Sequence, residues 1–241
     1  HRSGKGIISY VEIGEHGPLG PIRPAVEEPW HLSYPFLFED AGRIYMIPES
    51  CNARHVALYR AERFPDCWVR EGLLLSDVDL SDATICRHDG RLWMFAAAHD
   101  GTGSRTDLLS IYSADRLTGP WSPHPLNPVL VDQRAARPAG NLVQRDGKLW
   151  RVAQDCTGGY GSALSIAEVL RLDETGYEQR LHAIVSPDRS WSGRRFHTLN
   201  RAGRLECIDG SAHSRKIRAP RTGAPVKALG KEVVDLQTIL R

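Results

Sequence analysis

"PFLFEDAGRIYMI" (Pro35–Ile47) and "ATICRHDGRLWMF" (Ala83–Phe95) are built on one plan: an apolar run, a short polar turn containing Gly, and a second apolar run. The plan returns in "GNLVQRDGKLWRV" (Gly140–Val152) and "HTLNRAGRLECID" (His197–Asp209). The turns are anchored by Gly42, Gly90, Gly147 and Gly203. Their spacing is roughly fifty residues, the period of propeller blades. Asp89-Gly90 and Asp146-Gly147 suit the left-handed backbone that a short hairpin requires.

A second matched pair follows the first two hairpins: "HVALYRAERFPDCW" (His55–Trp68) and "LLSIYSADRLTGPW" (Leu108–Trp121). Both alternate as strands do and end in a turn and a tryptophan. In the third unit "SALSIAEVLRLDETGYE" (Ser162–Glu178) takes that place. Each unit thus holds about four strands, and no stretch reads clearly as an amphipathic helix. The expected fold is all-β, a five-bladed β-propeller with one blade incomplete in this chain. Four blades are expected over 31–220, as units 31–76, 77–130, 131–184 and 185–220. Residues 1–30 hold one clear strand, "GIISYVEI", and a Pro/Gly-rich linker. They read as the outer half of a partial first blade whose inner strands precede His1, or as a strand that closes the ring on the last blade. Residues 221–241 are a C-terminal tail, readable as a short strand or a helix.

The 241 residues suffice for one large domain. A formal net charge of +2 gives no long-range reason to expect nucleic acid. The basic runs "SGRRF" and "SRKIRAPR" read as solvated loops. No apolar run approaches the ~20 residues of a membrane span, and "HRSGKGIISY" lacks the order of a signal peptide. Five cysteines, widely spaced and without a CxxC, fit reduced thiols and a cytoplasmic protein. Neither a cofactor nor a metal is expected. The competing possibility is a metal held by His31, His99 and His197, whose spacings fit no compact ligand motif.

In a propeller the first strand of each blade runs along the central channel and the second returns beside it. The hairpin turns then lie on one face, and the open ends meet on the other. Eight residues before each anchoring glycine stand Tyr34, Asp82, Ala139 and Arg195, with Ser33, Arg137 and His197 close by. Seven to nine residues after the first three stand Glu49, His99, Gln154 and Asp155, with Asp209 one position earlier in the last unit. Carboxylates, arginines and histidines converging on one mouth are what a polar-ligand site needs. Individually, any of them can serve only to cap a strand end.

The motifs "HLSYPF…YMIPES", "DATI", "GPWSPHPLNPV", "RPAG" and "AQDCTGGYG" resemble the propeller domain at the N-terminus of plant glucosamine inositolphosphorylceramide transferases. Such domains also occur in bacterial proteins, some joined to formyltransferase-like domains. More distantly, the hairpins and the "GPW" turn are similar to family 43 glycoside hydrolases, five-bladed propellers with acids at the starts of inner strands. That resemblance matches Asp82 to such an acid, but Tyr34 stands where an Asp-Pro would begin the preceding blade, and "RPAG" carries no carboxylate.

The resemblance implies a glycan-processing or sugar-binding module of a glycosyltransferase-type system, acting on a sugar or sugar-phosphate. A non-catalytic recognition domain serving a fused or associated transferase or formyltransferase domain is the alternative, and a glycoside hydrolase the third. The candidate catalytic acids are Asp82, Glu49 and Asp155. The candidate substrate-binding residues are Ser33, Tyr34, His31, Arg137, Arg151, Gln154, Tyr160 and His197.

Overall fold

The computed structural model describes residues 4–101, 104–188, 193–203 and 205–211. Apart from one 3₁₀ turn at Cys51–Ala53, the regular elements among them are all β-strands. Strands β1 (Ile8–Gly14) and β2 (Gly17–Val26) form a hairpin. A four-stranded antiparallel sheet follows in chain order: β3 (Ser33–Asp40), β4 (Arg43–Glu49), β5 (His55–Arg63) and β6 (Cys67–Ser76). The next sheet contains β7 (Leu80–His88), β8 (Arg91–Ala98) and β9 (Leu108–Ala114). Its outer edge is two short pieces on β9, β10 (Ser122–Pro123) and β11 (Leu130–Val131). The third is β12 (Val143–Arg145), β13 (Lys148–Asp155), β14 (Ala163–Asp173) and β15 (Gly176–Val185). Strands β16 (Arg195–Ala202) and β17 (Leu205–Ser211) form a final two-stranded sheet.

The glycines sit in hairpin turns as their sequence context requires. Asp40 pairs with Arg43, His88 with Arg91 and Arg145 with Lys148, leaving two residues in each loop. Ala41-Gly42, Asp89-Gly90 and Asp146-Gly147 all have φ between +47° and +79°. Two successive left-handed residues make the turn that matches the right-handed twist of the flanking strands.

Hydrophobic side chains form layers between consecutive sheets. Phe36, Ile47 and Leu58 of the β3–β6 sheet meet Ile85 and Met94 of the β7–β11 sheet and Trp121, which leads into β10. Trp93 and Phe95, alternating with Met94, face the other way onto Leu149 and Val169 of the third. Trp150, Val152 and Ile166 then meet Phe196 and Leu199 of β16. On the opposite side of the first sheet, Met46, Ala57 and Tyr59 pack against Ile8 and Val26 of the β1–β2 hairpin. A strand covered on both faces must be apolar at every position, which is why β8 is buried almost throughout.

Among the described residues no ladder joins β1 or β2 to β17, so the N-terminal strands are not seen completing the last sheet. The tail 221–241 and the run "SRKIRAPR" lie outside the described residues. No helix among those described is long and apolar enough to cross a membrane.

Candidate functional site

The open ends of the strand pairs carry the polar residues. Ser33 pairs with Glu49, Ser81 with Ala97, Pro138 with Ala153 and Thr198 with Asp209. In the first two sheets the innermost strand bulges at the same place. Register slips between Ser33 and Phe36 and between Ser81 and Thr84. Inside these bulges Tyr34 has φ +40° and Asp82 φ +56°. Left-handed backbone costs an L-residue about 1–2 kcal/mol, so both side chains are aimed at the expense of local strain.

Asp82 is fully buried. Its Oδ2 accepts from Arg137 Nε at 2.7 Å and from Gln154 Nε2 at 3.2 Å, both from the third unit. Its Oδ1 has no partner. Burial pushes the carboxyl up to about 6 against the pull of Arg137, and the charge of Glu49 adds to the rise. A carboxyl held near neutrality, with one oxygen unengaged, can give or accept a proton at physiological pH. Each nitrogen of Arg137 is engaged once: besides Nε, Nη1 donates to the carbonyl of Arg105 at 3.0 Å, and Nη2 approaches the Tyr160 hydroxyl at 3.4 Å.

Tyr160 is carried by the turn after β13, and Asp155 shapes that turn. The Asp155 Oδ1 accepts from the Thr157 N–H at 2.9 Å and the Thr157 hydroxyl at 2.6 Å. Gly159 (φ +103°) and Gly161 (φ +59°) let the turn lie flat: a Cβ on Gly161 would crowd the His197 ring, and one on Gly159 the Arg195 guanidinium. This is the physical reading of "TGGYG". Tyr160 then reaches His197 Nε2, while His197 Nδ1 lies 3.2 Å from Asp209 Oδ2. Arg195 secures the turn by donating to the Tyr160 carbonyl.

The site therefore gathers Asp82, Arg137, Gln154, Tyr160 and His197 in one hydrogen-bonded series. Glu49 is near enough to raise the pKa of Asp82, but its oxygens accept from Ser33 Oγ and Cys51 Sγ, each at 2.8 Å. Tyr34 lies beside Asp82 and shares a hydrogen bond with Thr84 at 2.9 Å. Two expected ligand-binding residues sit elsewhere. His31 Nδ1 accepts from the Gly6 N–H at 2.8 Å and so ties down the chain before β1. Arg151 is buried between the second and third sheets, donating to the carbonyls of Ala135 and Ala136 with its guanidinium over Phe95. Alternation along β13 explains this: Arg151 points to the layer opposite Trp150. Asp155 serves the Tyr160 turn and shares no hydrogen bond with Asp82.

Sequence spacing places Asp209 and Arg195 at the open end without a role and does not reach Thr84; the structure makes Asp209 the partner of His197, Thr84 the partner of Tyr34, and sets Arg195 behind Tyr160. Asp209 has a legible signal, a carboxylate at the end of a second strand. His31, His99 and His197 do not converge, since His99 lies against Asp79. Among the described residues no group of three His, Cys, Asp or Glu is set to hold a metal.

Comparison with known proteins gives one family model, glucosamine inositolphosphorylceramide transferase 1, N-terminal, matching residues 18–207. The glucosamine inositolphosphorylceramide transferase 1 of Arabidopsis thaliana is 36% identical over 185 residues, 73% of this chain and 24% of that protein. Its counterpart from Oryza sativa subsp. japonica is 33% identical over 184 residues, 73% of this chain and 25% of that protein. The chain thus spans about a quarter of the length of these relatives. Among solved structures, an exo-β-1,3-galactanase from Phanerochaete chrysosporium aligns with a TM-score of 0.55 at 11% identity, covering 86% of this chain and 47% of that one. A family 43 glycoside hydrolase from Bacillus licheniformis aligns at 0.51 and 20% identity, covering 74% and 39%. At these identities the likeness speaks for the propeller fold alone.

Proposed function

Since the chain belongs to the glucosamine inositolphosphorylceramide transferase 1 N-terminal family, we propose that it is the sugar-handling propeller module of a glycosyl-transfer system. Its ligand is a sugar or sugar-phosphate, bound at the rim around Asp82. The observation that carries this reading is the buried Asp82 carboxyl with an unpartnered Oδ1. A buried acceptor without a donor is costly, and a sugar hydroxyl is a donor of the right kind. Because Arg137 is already ion-paired with Asp82, and a carboxylate repels an anion, hydroxyl groups suit the Asp82 side of the site. We read five blades: the sheets β3–β6, β7–β11 and β12–β15, with β1–β2 and β16–β17 as parts of two more.

A second reading, a recognition domain that presents a glycan to a separate transferase domain, is favoured by the quarter-length match to the curated relatives. Hydrolysis is the weakest reading. It calls for two opposed carboxylates, and Asp155 is engaged by Thr157.

Calorimetric titration with hexoses, hexosamines, inositol and nucleotide sugars tests the site. Asp82→Asn is expected to weaken binding at least about tenfold, about 1.4 kcal/mol, with the fold intact. Equal affinities of variant and wild type for every ligand that binds would remove Asp82 from the site.

A further inference from the structure

Asp209, His197 and Tyr160 stand in series as carboxylate, imidazole and hydroxyl. A carboxylate only accepts, so His197 Nδ1 carries the proton that Asp209 Oδ2 receives at 3.2 Å. Nε2 is then left with its lone pair facing the Tyr160 hydroxyl. The other Asp209 oxygen accepts from the Thr198 N–H and hydroxyl, which fixes the carboxylate. Desolvation works against its ionisation, but the hydrogen bonds from His197 and Thr198 hold its carboxyl below the usual range. The Arg137 guanidinium lies 4.9 Å from the Tyr160 ring centroid, with Nη2 near the oxygen where negative charge would form.

Tyr160 as a residue is 48% exposed, although its hydroxyl is drawn in between Arg137 and His197. A cavity of about 320 Å³ opens beside the series, lined by Tyr160, Arg195, His197 and Asp209 among others. Burial of the phenol, opposed by Arg137, pushes Tyr160 up to about 12. It is therefore protonated at neutral pH and depends on its base, as the serine of a Ser-His-Asp triad does.

We propose that Tyr160 is a base-activated nucleophile, with His197 as its base and Asp209 as the residue that orients the base, and that it attacks the anomeric carbon of a glycosyl phosphate. The bond from Tyr160 Oη to that carbon forms as the carbon–oxygen bond to phosphate breaks, its electron pair leaving with the phosphate oxygen. The phenol proton passes to His197 Nε2 and on to the departing phosphate. An acceptor hydroxyl then attacks the same carbon, and its proton returns through His197 to the Tyr160 oxygen. Arg195, at the cavity wall, supplies positive charge on the phosphate side. Only the identity of the electrophile rests on the glycan reading above; the nucleophile does not.

The test is therefore made with a probe that contains no sugar. An arylsulfonyl fluoride is added to the 241-residue chain, and the adducts are mapped by mass spectrometry over time. Reaction forms an oxygen–sulfur bond at tyrosine, expels fluoride and delivers the phenol proton to the base. Tyr160 is expected to label faster than Tyr10 and Tyr45. Tyr160→Phe removes that adduct, and His197→Gln and Asp209→Asn each slow it at least tenfold while labelling of Tyr10 and Tyr45, the internal measure of an intact fold, stays unchanged. Labelling of Tyr160 no faster than of Tyr45, or unaffected by His197→Gln, overturns the nucleophile. Labelling that depends on His197 but is not slowed by hexose 1-phosphates overturns the glycosyl electrophile alone.

Discussion

Asp82 is the residue where folding and function pull against each other. Folding raises its carboxyl from 3.8 to about 6, chiefly through burial. Between those values the folded chain holds a proton that the unfolded chain has released. The sign follows from linkage: stability is highest where both states are protonated and falls as pH rises through the folded value. The shift is worth on the order of 3 kcal/mol. Asp82→Asn cannot ionise and escapes this loss. Chemical denaturation across about pH 4 to pH 7 is expected to show the variant gaining stability relative to wild type as pH rises. A difference that stays flat over that range would mean that Asp82 is already ionised in the fold.

Hairpin and strand show why the glycines of this chain are not equivalent. Gly90 turns a hairpin at φ +79°, and a Cβ there would meet nothing within 4 Å. Gly90→Ala is expected to cost only the left-handed backbone, about 1–2 kcal/mol. Gly140 has φ +144°, and a Cβ there would run into the carbonyl of Leu199 on β16. The Leu199 N–H already donates to the Ala139 carbonyl at 2.8 Å, so β16 cannot retreat without losing that bond. Gly140→Ala is therefore expected to destabilise at least twice as much as Gly90→Ala in thermal unfolding. Equal costs would show that β16 is not held against "RPAG". The strand bulges at Tyr34 and Asp82 belong to this scale as well, since each re-aims one side chain without ending its ladder.

Across the whole molecule, stability resides in the layers between sheets. Trp121, 8% exposed, closes the layer between the β3–β6 sheet and the β7–β11 sheet, and its Nε1 donates to the Leu117 carbonyl at 2.9 Å. Trp121→Ala is expected to cost roughly 3–5 kcal/mol. Trp68, the matching tryptophan one unit earlier, is only partly buried against the β1–β2 layer and stands edge-on to Phe64, so Trp68→Ala should cost clearly less. Similar melting of the two variants would contradict that ordering. The all-β class, the hairpin turns and the rim are determined by the sequence alone. Period-two alternation and turn chemistry are local, and counting from a glycine tells which end of a strand a residue occupies. Such a count places Asp82, Glu49 and Gln154 at the open ends of their strands. The count cannot tell which face of the strand a side chain takes at that end, or what the neighbouring sheet sets opposite it. Only the tertiary structure turned Arg151 into the core, assigned Asp155 to its own turn and His31 to the chain before β1. It also joined Tyr160 to His197 and Asp209 across two units of the chain. These contacts are non-local, set by how one sheet packs on the next, and no spacing within a single repeat encodes them.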